Sequence, residues 1–185
     1  MANNVHGYVS TMRASCENVD AFNRVGIYST GDLDNGVFVT LTGINKGSSD
    51  NVVKGFEYNV APASATSYGV WLVATPEVGT TLEQHMMSDP RYFYNAKGRP
   101  MSLKFLNPKT DIIEVDANCF ASKTLPNTEG YVTIGANGKL VASASAPEGG
   151  GKTYFSVVGF NTVAVGMEQM KTVLLQCEAN YFKYI

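Results

Sequence analysis

Few side chains in this 185-residue sequence are placed to do chemistry. His6 lies in a polar N-terminal stretch, and His85 beside Met86 and Met87 has no second ligand one helical turn away, so no metal site is expected. Cys16, Cys119 and Cys177 contain no Cys-x-x-Cys pair, which speaks against zinc-knuckle and dithiol redox chemistry. Widely spaced and odd in number, they read as buried thiols in a reducing cytoplasm, with Cys119 and Cys177 at strand positions. Cys119 has no basic sequence neighbour to activate it, and no Gly-x-Ser-x-Gly elbow is present. Neither a catalytic residue nor a cofactor is expected.

Two further clusters resemble sites without completing one. Gly149-Gly150-Gly151-Lys152-Thr153 looks like the end of a phosphate-binding loop, but that motif needs glycine where this chain has Ala146. The following Tyr154-Phe155-Ser156-Val157 also reads as a strand, whereas a phosphate loop opens a helix. Asp111, Glu114 and Asp116 share one stretch, yet strand alternation turns Asp111 away from the other two. Paired-acid chemistry needs two carboxyls facing across a cleft, so these are expected on a solvated face.

The most unusual stretch is basic and aromatic. From Arg91 to Lys109 there are five basic residues, no acidic ones and four aromatics. Arg91, Tyr92, Phe93, Tyr94, Lys97 and Arg99 are therefore candidate partner-interface residues, because Arg and Tyr dominate binding hot spots. Base stacking with phosphate neutralisation fits the same composition. So does a helix-to-strand connection whose aromatics plug the core. No second basic cluster extends a nucleic-acid footprint, and no nucleic-acid partner is expected.

Composition narrows the classes further. Lys and Arg number 14 against 16 Asp and Glu, a net charge of −2, which excludes a generally polybasic binder. Charged residues make up 16% of the chain, against roughly 25% in ordinary domains. Ser, Thr, Asn, Gly and aromatics take their place. No apolar run approaches the roughly 20 residues of a membrane helix, so no membrane partner is expected. Met1 to Gly7 carries neither a basic nor an apolar leader pattern.

The elements that must carry these residues are predominantly β. Strands are predicted at Val37–Thr42, Val70–Ala74, Met101–Phe105, Asp111–Asp116, Tyr131–Ile134, Lys139–Ser143, Tyr154–Phe160 and Thr172–Cys177. The continuous apolar run Val70–Ala74 suits a strand buried on both faces. Asn137-Gly138 favours positive φ and marks a hairpin. One short helix is predicted at about 80–88, capped by Thr80 or Thr81 and ended by Pro90. Residues 43–51 and 144–152 read as loops, and no internal repeat is visible. The expected fold is mainly β, an antiparallel barrel or sandwich. Its divisions would be an N-terminal segment over 1–22 (an extended arm, or a short helix around Cys16 to Phe22), a larger β lobe over 23–125 and a smaller all-β lobe over 126–185. One continuous domain is the other division.

An ordered set of segments carries a resemblance. These are Val25-Gly26-Ile27-Tyr28, Gly31-Asp32-Leu33-Asp34-Asn35-Gly36 leading into a strand, Val70 to Val78, Phe93 to Met101, and the hairpin around Gly130-Tyr131-Val132 and Lys139-Leu140. Over residues 23 to 180 the chain resembles the head decoration (cement) proteins of tailed phages. It departs from them in the loop content at 43–51 and 149–151. The resemblance implies a structural protein of the virion, made in the host cytoplasm and set on the outer capsid surface. Its implied partners are the major capsid protein and copies of itself, as a trimer or a cluster at local three-fold points. A carbohydrate- or receptor-binding β module of a virion is the alternative, with Trp71 and the tyrosines as stacking candidates, although Trp71 sits inside an apolar run and reads as core. A small hydrolase is the third reading.

Overall fold

The computed structural model describes residues 6–17, 19–46, 57–77, 92–148, 152–165 and 168–182. The helix expected at 80–88, His85, Arg91 and Gly149–Gly151 lie outside them. No helix among the described residues is long and apolar enough to cross a membrane.

The described residues form thirteen strands: β1 (Val9–Arg13), β2 (Asn23–Ile27), β3 (Leu33–Asp34), β4 (Phe38–Ile44), β5 (Glu57–Pro62), β6 (Trp71–Val73), β7 (Tyr94–Asn95), β8 (Pro100–Lys104), β9 (Ile112–Asp116), β10 (Tyr131–Ile134), β11 (Leu140–Ser143), β12 (Tyr154–Val165) and β13 (Glu168–Ala179). Between them lie short 3-10 turns. The mainly β fold expected from the sequence is what forms. Strands β2-β5-β4-β6-β8 close a barrel, in which β2 and β5 are the parallel pair. An antiparallel sheet of order β1-β9-β13-β12-β10-β11 stands beside it, and β3 pairs with β7.

Side-chain alternation joins the two bodies. Trp71 and Val73 of β6 and Val39 of β4 fill the barrel with Met101 and Leu103. Leu72 and Phe38, on the opposite face, pack with Ile113, Val115, Phe155, Val173 and Leu175 of the six-stranded sheet. The apolar run at 70–74 is therefore buried on both faces, one in each core. The barrel interior is narrow. A β-carbon at Gly26 would meet Leu103 at 2.7 Å and Val60 at 2.9 Å. Glycine at an inward position of β2 hides the alternation by which strands are recognised, and β2 is absent from the expected strands for that reason.

Strands from both sides of residue 125 share one sheet. The six-stranded sheet takes β1 and β9 as well as every strand after residue 126. From Val9 to Arg13 the expected N-terminal arm is an edge strand, with Val9 opposite Val115 and Arg13 opposite Ile112. Two buried carboxylates hold it. Asp116 Oδ1 accepts from the Tyr8 amide at 3.0 Å, and Asp111 Oδ1 accepts from the Ser15 amide at 2.9 Å and from the Ser15 hydroxyl. Asp111 and Asp116 are 1% and 2% exposed, so the solvated-face expectation fails for both. Asp111 precedes β9 and Asp116 ends it, and together they fasten the two ends of β1, an exchange of hydration for several hydrogen bonds that makes burial of a carboxylate tolerable.

Candidate interaction surface

The described residues of the basic-aromatic segment do not form one patch. Phe93 is buried, and Tyr92 and Tyr94 are half-buried. Tyr94 lies in β7 with its ring 5.0 Å from that of His6. Lys104 pairs with Glu17 at 3.3 Å, and Lys109 pairs with Glu178 on β13. Lys97 and Arg99 stay exposed on the turn that leads into β8. Neither has an ion-pair partner among the described residues.

This turn is held from both sides. Asp32 Oδ1 accepts from the Lys97 amide at 2.8 Å, the Gly98 amide donates to Tyr28 O at 2.8 Å, and the Arg99 amide donates to Ala96 O at 3.0 Å. Gly98 supplies φ +71, a left-handed conformation that costs other residues strain. Behind the turn sits a buried polar network. Asn95 Nδ2 donates to Leu33 O and to Asn35 Oδ1, both at 3.1 Å, and Asn95 Oδ1 accepts from the Thr75 hydroxyl at 2.5 Å. Asn35 Nδ2 donates in turn to Thr75 O at 2.9 Å. With its amide groups matched, the network ties β3, β7 and the segment after β6 into one rigid support. Sequence reading missed Asn35, Thr75 and Asn95 because single Asn and Thr residues look like ordinary turn and strand residues.

A second cluster bridges the two bodies. His6 Nδ1 donates to Asp34 Oδ1 at 2.6 Å, and Lys139 Nζ donates to Asp34 Oδ2 at 2.9 Å and to Asn118 O at 3.0 Å. Burial raises the Asp34 pKa, but the Lys139 charge and the His6 contact outweigh it and hold the carboxyl below its ordinary value. Asp34 stands in β3, whereas Lys139 belongs to the β10–β11 hairpin, so the ion pair clamps that hairpin to the barrel side.

The cysteines are free and buried. Desolvation first of all pushes the thiol of Cys16 up to about 11 and that of Cys177 up to about 12, and raises Cys119 well above its ordinary value. Cys177 lies in β13 as expected, but Cys119 closes a 3-10 turn and is not in a strand. Among the described residues no three His, Cys, Asp or Glu side chains gather as metal ligands. Trp71, a stacking candidate whose apolar run reads as core, is 4% exposed inside the barrel, its ring 5.3 Å from Phe105. The exposed rings lie elsewhere. Tyr181 and Phe182 are half exposed, with Phe182 stacked on Phe105 at 4.9 Å.

No family model matches the chain, and neither a curated protein nor a solved structure matches it.

Proposed function

We propose that the protein is a structural component of a phage virion that binds the major capsid protein on the outer surface of the shell and stabilises it, with copies clustered on that surface. One observation carries this reading: Lys97 and Arg99 project, without ion-pair partners among the described residues, from a turn held by Asp32, Tyr28 and the Asn35–Thr75–Asn95 network. The backbone that carries these two cations is already held, so binding has only their side chains left to order, and a guanidinium can grip a carboxylate through two parallel hydrogen bonds. Such a turn suits a carboxylate-bearing protein surface. Many copies on a repeating shell add weak individual contacts into firm attachment.

The test is to mix the purified protein with capsids lacking it, then measure co-sedimentation and the temperature at which the shells disrupt. Attachment with a raised disruption temperature is expected. No co-sedimentation together with an unchanged disruption temperature would overturn the proposal.

A further inference from the structure

The β12–β13 hairpin outruns the sheet that holds it. β13 meets β9 only from Thr172 to Gln176, and β12 meets β10 only from Tyr154 to Ser156. Beyond a bulge between Val157 and Gly159, residues Gly159 to Val165 pair with Leu174 to Glu168 and with no other strand among the described residues. One edge of β12 is thus left without a strand neighbour over seven residues that keep regular register with β13. A local contact serves one amide there, where Asn161 Oδ1 accepts from Thr162 N at 2.8 Å.

Monomeric proteins guard such edges with lysine, proline or inward-pointing charge. The stretch Val158-Gly159-Phe160-Asn161-Thr162-Val163-Ala164-Val165 has no charged residue and no proline. Val158 and Phe160 are each 50% exposed. Against this ribbon lies a groove of about 550 Å³ whose lining includes Leu125, Pro126, Phe160 and Thr162, with Lys171 of β13.

We infer that this edge of β12 pairs antiparallel with the same edge of a second copy of the chain, about a two-fold axis perpendicular to the ribbon. An isologous contact brings each residue near its own counterpart, so a charged edge repels itself and an uncharged one does not. The absence of charge from 158 to 165 therefore matches this partner in particular. The axis also keeps each side chain on the same face in both copies. The two Phe160 rings then share one face, next to the apolar lining at Leu125 and Pro126, and cover surface that one chain leaves in water. Strand addition supplies the outward backbone groups with partners. The pairing goes beyond capsid attachment and does not depend on it.

Sedimentation velocity on the full chain at rising concentration tests the pairing. A species of about twice the 19.9 kDa chain mass is expected. In any register centred on 161 to 163, the two copies of residue 162 lie on one face within two residues of each other. Thr162→Lys should therefore remain monomeric where the wild type is dimeric, with an unchanged far-ultraviolet circular dichroism spectrum. Thr162→Glu should do the same, and an equal mixture of the two variants should dimerise again. A wild type that stays monomeric throughout, a trimer, or a Thr162→Lys protein that still dimerises would overturn the inference. If the variants fail to fold, the wild-type series decides alone. Capsid attachment is read separately, so a dimer that ignores capsids would count only against the proposed function.

Discussion

The backbone of Gly138 is packed so closely against the carbonyl oxygen of Phe38 that a β-carbon would collide with it. Gly138 is the last residue of the β10–β11 turn, and Phe38 begins the barrel strand β4. The Gly138 amide donates to Ala63 O at 2.8 Å, so the hairpin of one body is seated on the backbone of the other. Lys139, next in the chain, adds the ion pair to Asp34.

Gly138→Ala should destabilise the fold through two effects. The left-handed conformation, φ +70, costs roughly 1–2 kcal/mol for a residue with a β-carbon. Forced entry of the methyl adds about 1–3 kcal/mol. Gly98→Ala separates the two, because Gly98 has φ +71 with open space around it. Urea unfolding of both variants is the measurement. Equal losses would show that the Phe38 contact is not tight.

Asp34 gives the fold a defined acid response. A carboxyl held below its ordinary value near 3.8 adds stability at higher pH, and that share is lost as pH falls through the lowered value. Melting temperature should therefore drop more steeply for the wild type than for Asp34→Asn once the pH passes below about 4. Parallel curves through that window would refute the role of Lys139 and His6 at this carboxyl.

Asn95→Ala removes an acceptor from the Thr75 hydroxyl and donors from Leu33 O and Asn35 Oδ1. Each buried polar group left unmatched costs roughly 1–3 kcal/mol, so a total loss of about 2 kcal/mol or more is expected. Amide hydrogen exchange should quicken at Lys97 and Gly98 while the centre of the β12–β13 pairing keeps its protection. Unchanged exchange at the turn would mean that the network does not support it.

Replacing Lys97 and Arg99 together by Ala should weaken capsid attachment and leave the stability within about 0.5 kcal/mol, as for exposed positions outside special contacts. Wild-type attachment should also weaken with added salt, because screening reduces attraction between exposed charges. Retained full occupancy in the variant would show that the turn only connects β7 to β8.

Some features were legible because their cause is local. Asn137 and Gly138 do adopt positive φ, since glycine tolerates it freely and asparagine more readily than other residues. The strand at Val70–Ala74 announced itself because both of its faces are covered. Other elements depend on distant neighbours. β1 reads as a polar arm until Asp111 and Asp116, about a hundred residues away, supply acceptors for its ends. Those aspartates in turn look like surface charges until β1 covers them. The β12–β13 hairpin runs further than expected, through Phe160 to Val165 and back from Glu168, because mixed polarity on a projecting ribbon gives no alternation to follow.

The basic-aromatic run divides along the same line. Sequence by itself determined that positive charge and aromatic rings are concentrated between 91 and 109, because composition and spacing are properties of the chain alone. Tertiary structure decided what the described ones do. It spends Lys104 on Glu17 and Lys109 on Glu178, puts Phe93 in the core, and leaves Lys97 and Arg99 outward on a fixed turn. A charge acquires its role from the groups that desolvate or pair it, and in this fold those groups come from elsewhere in the chain.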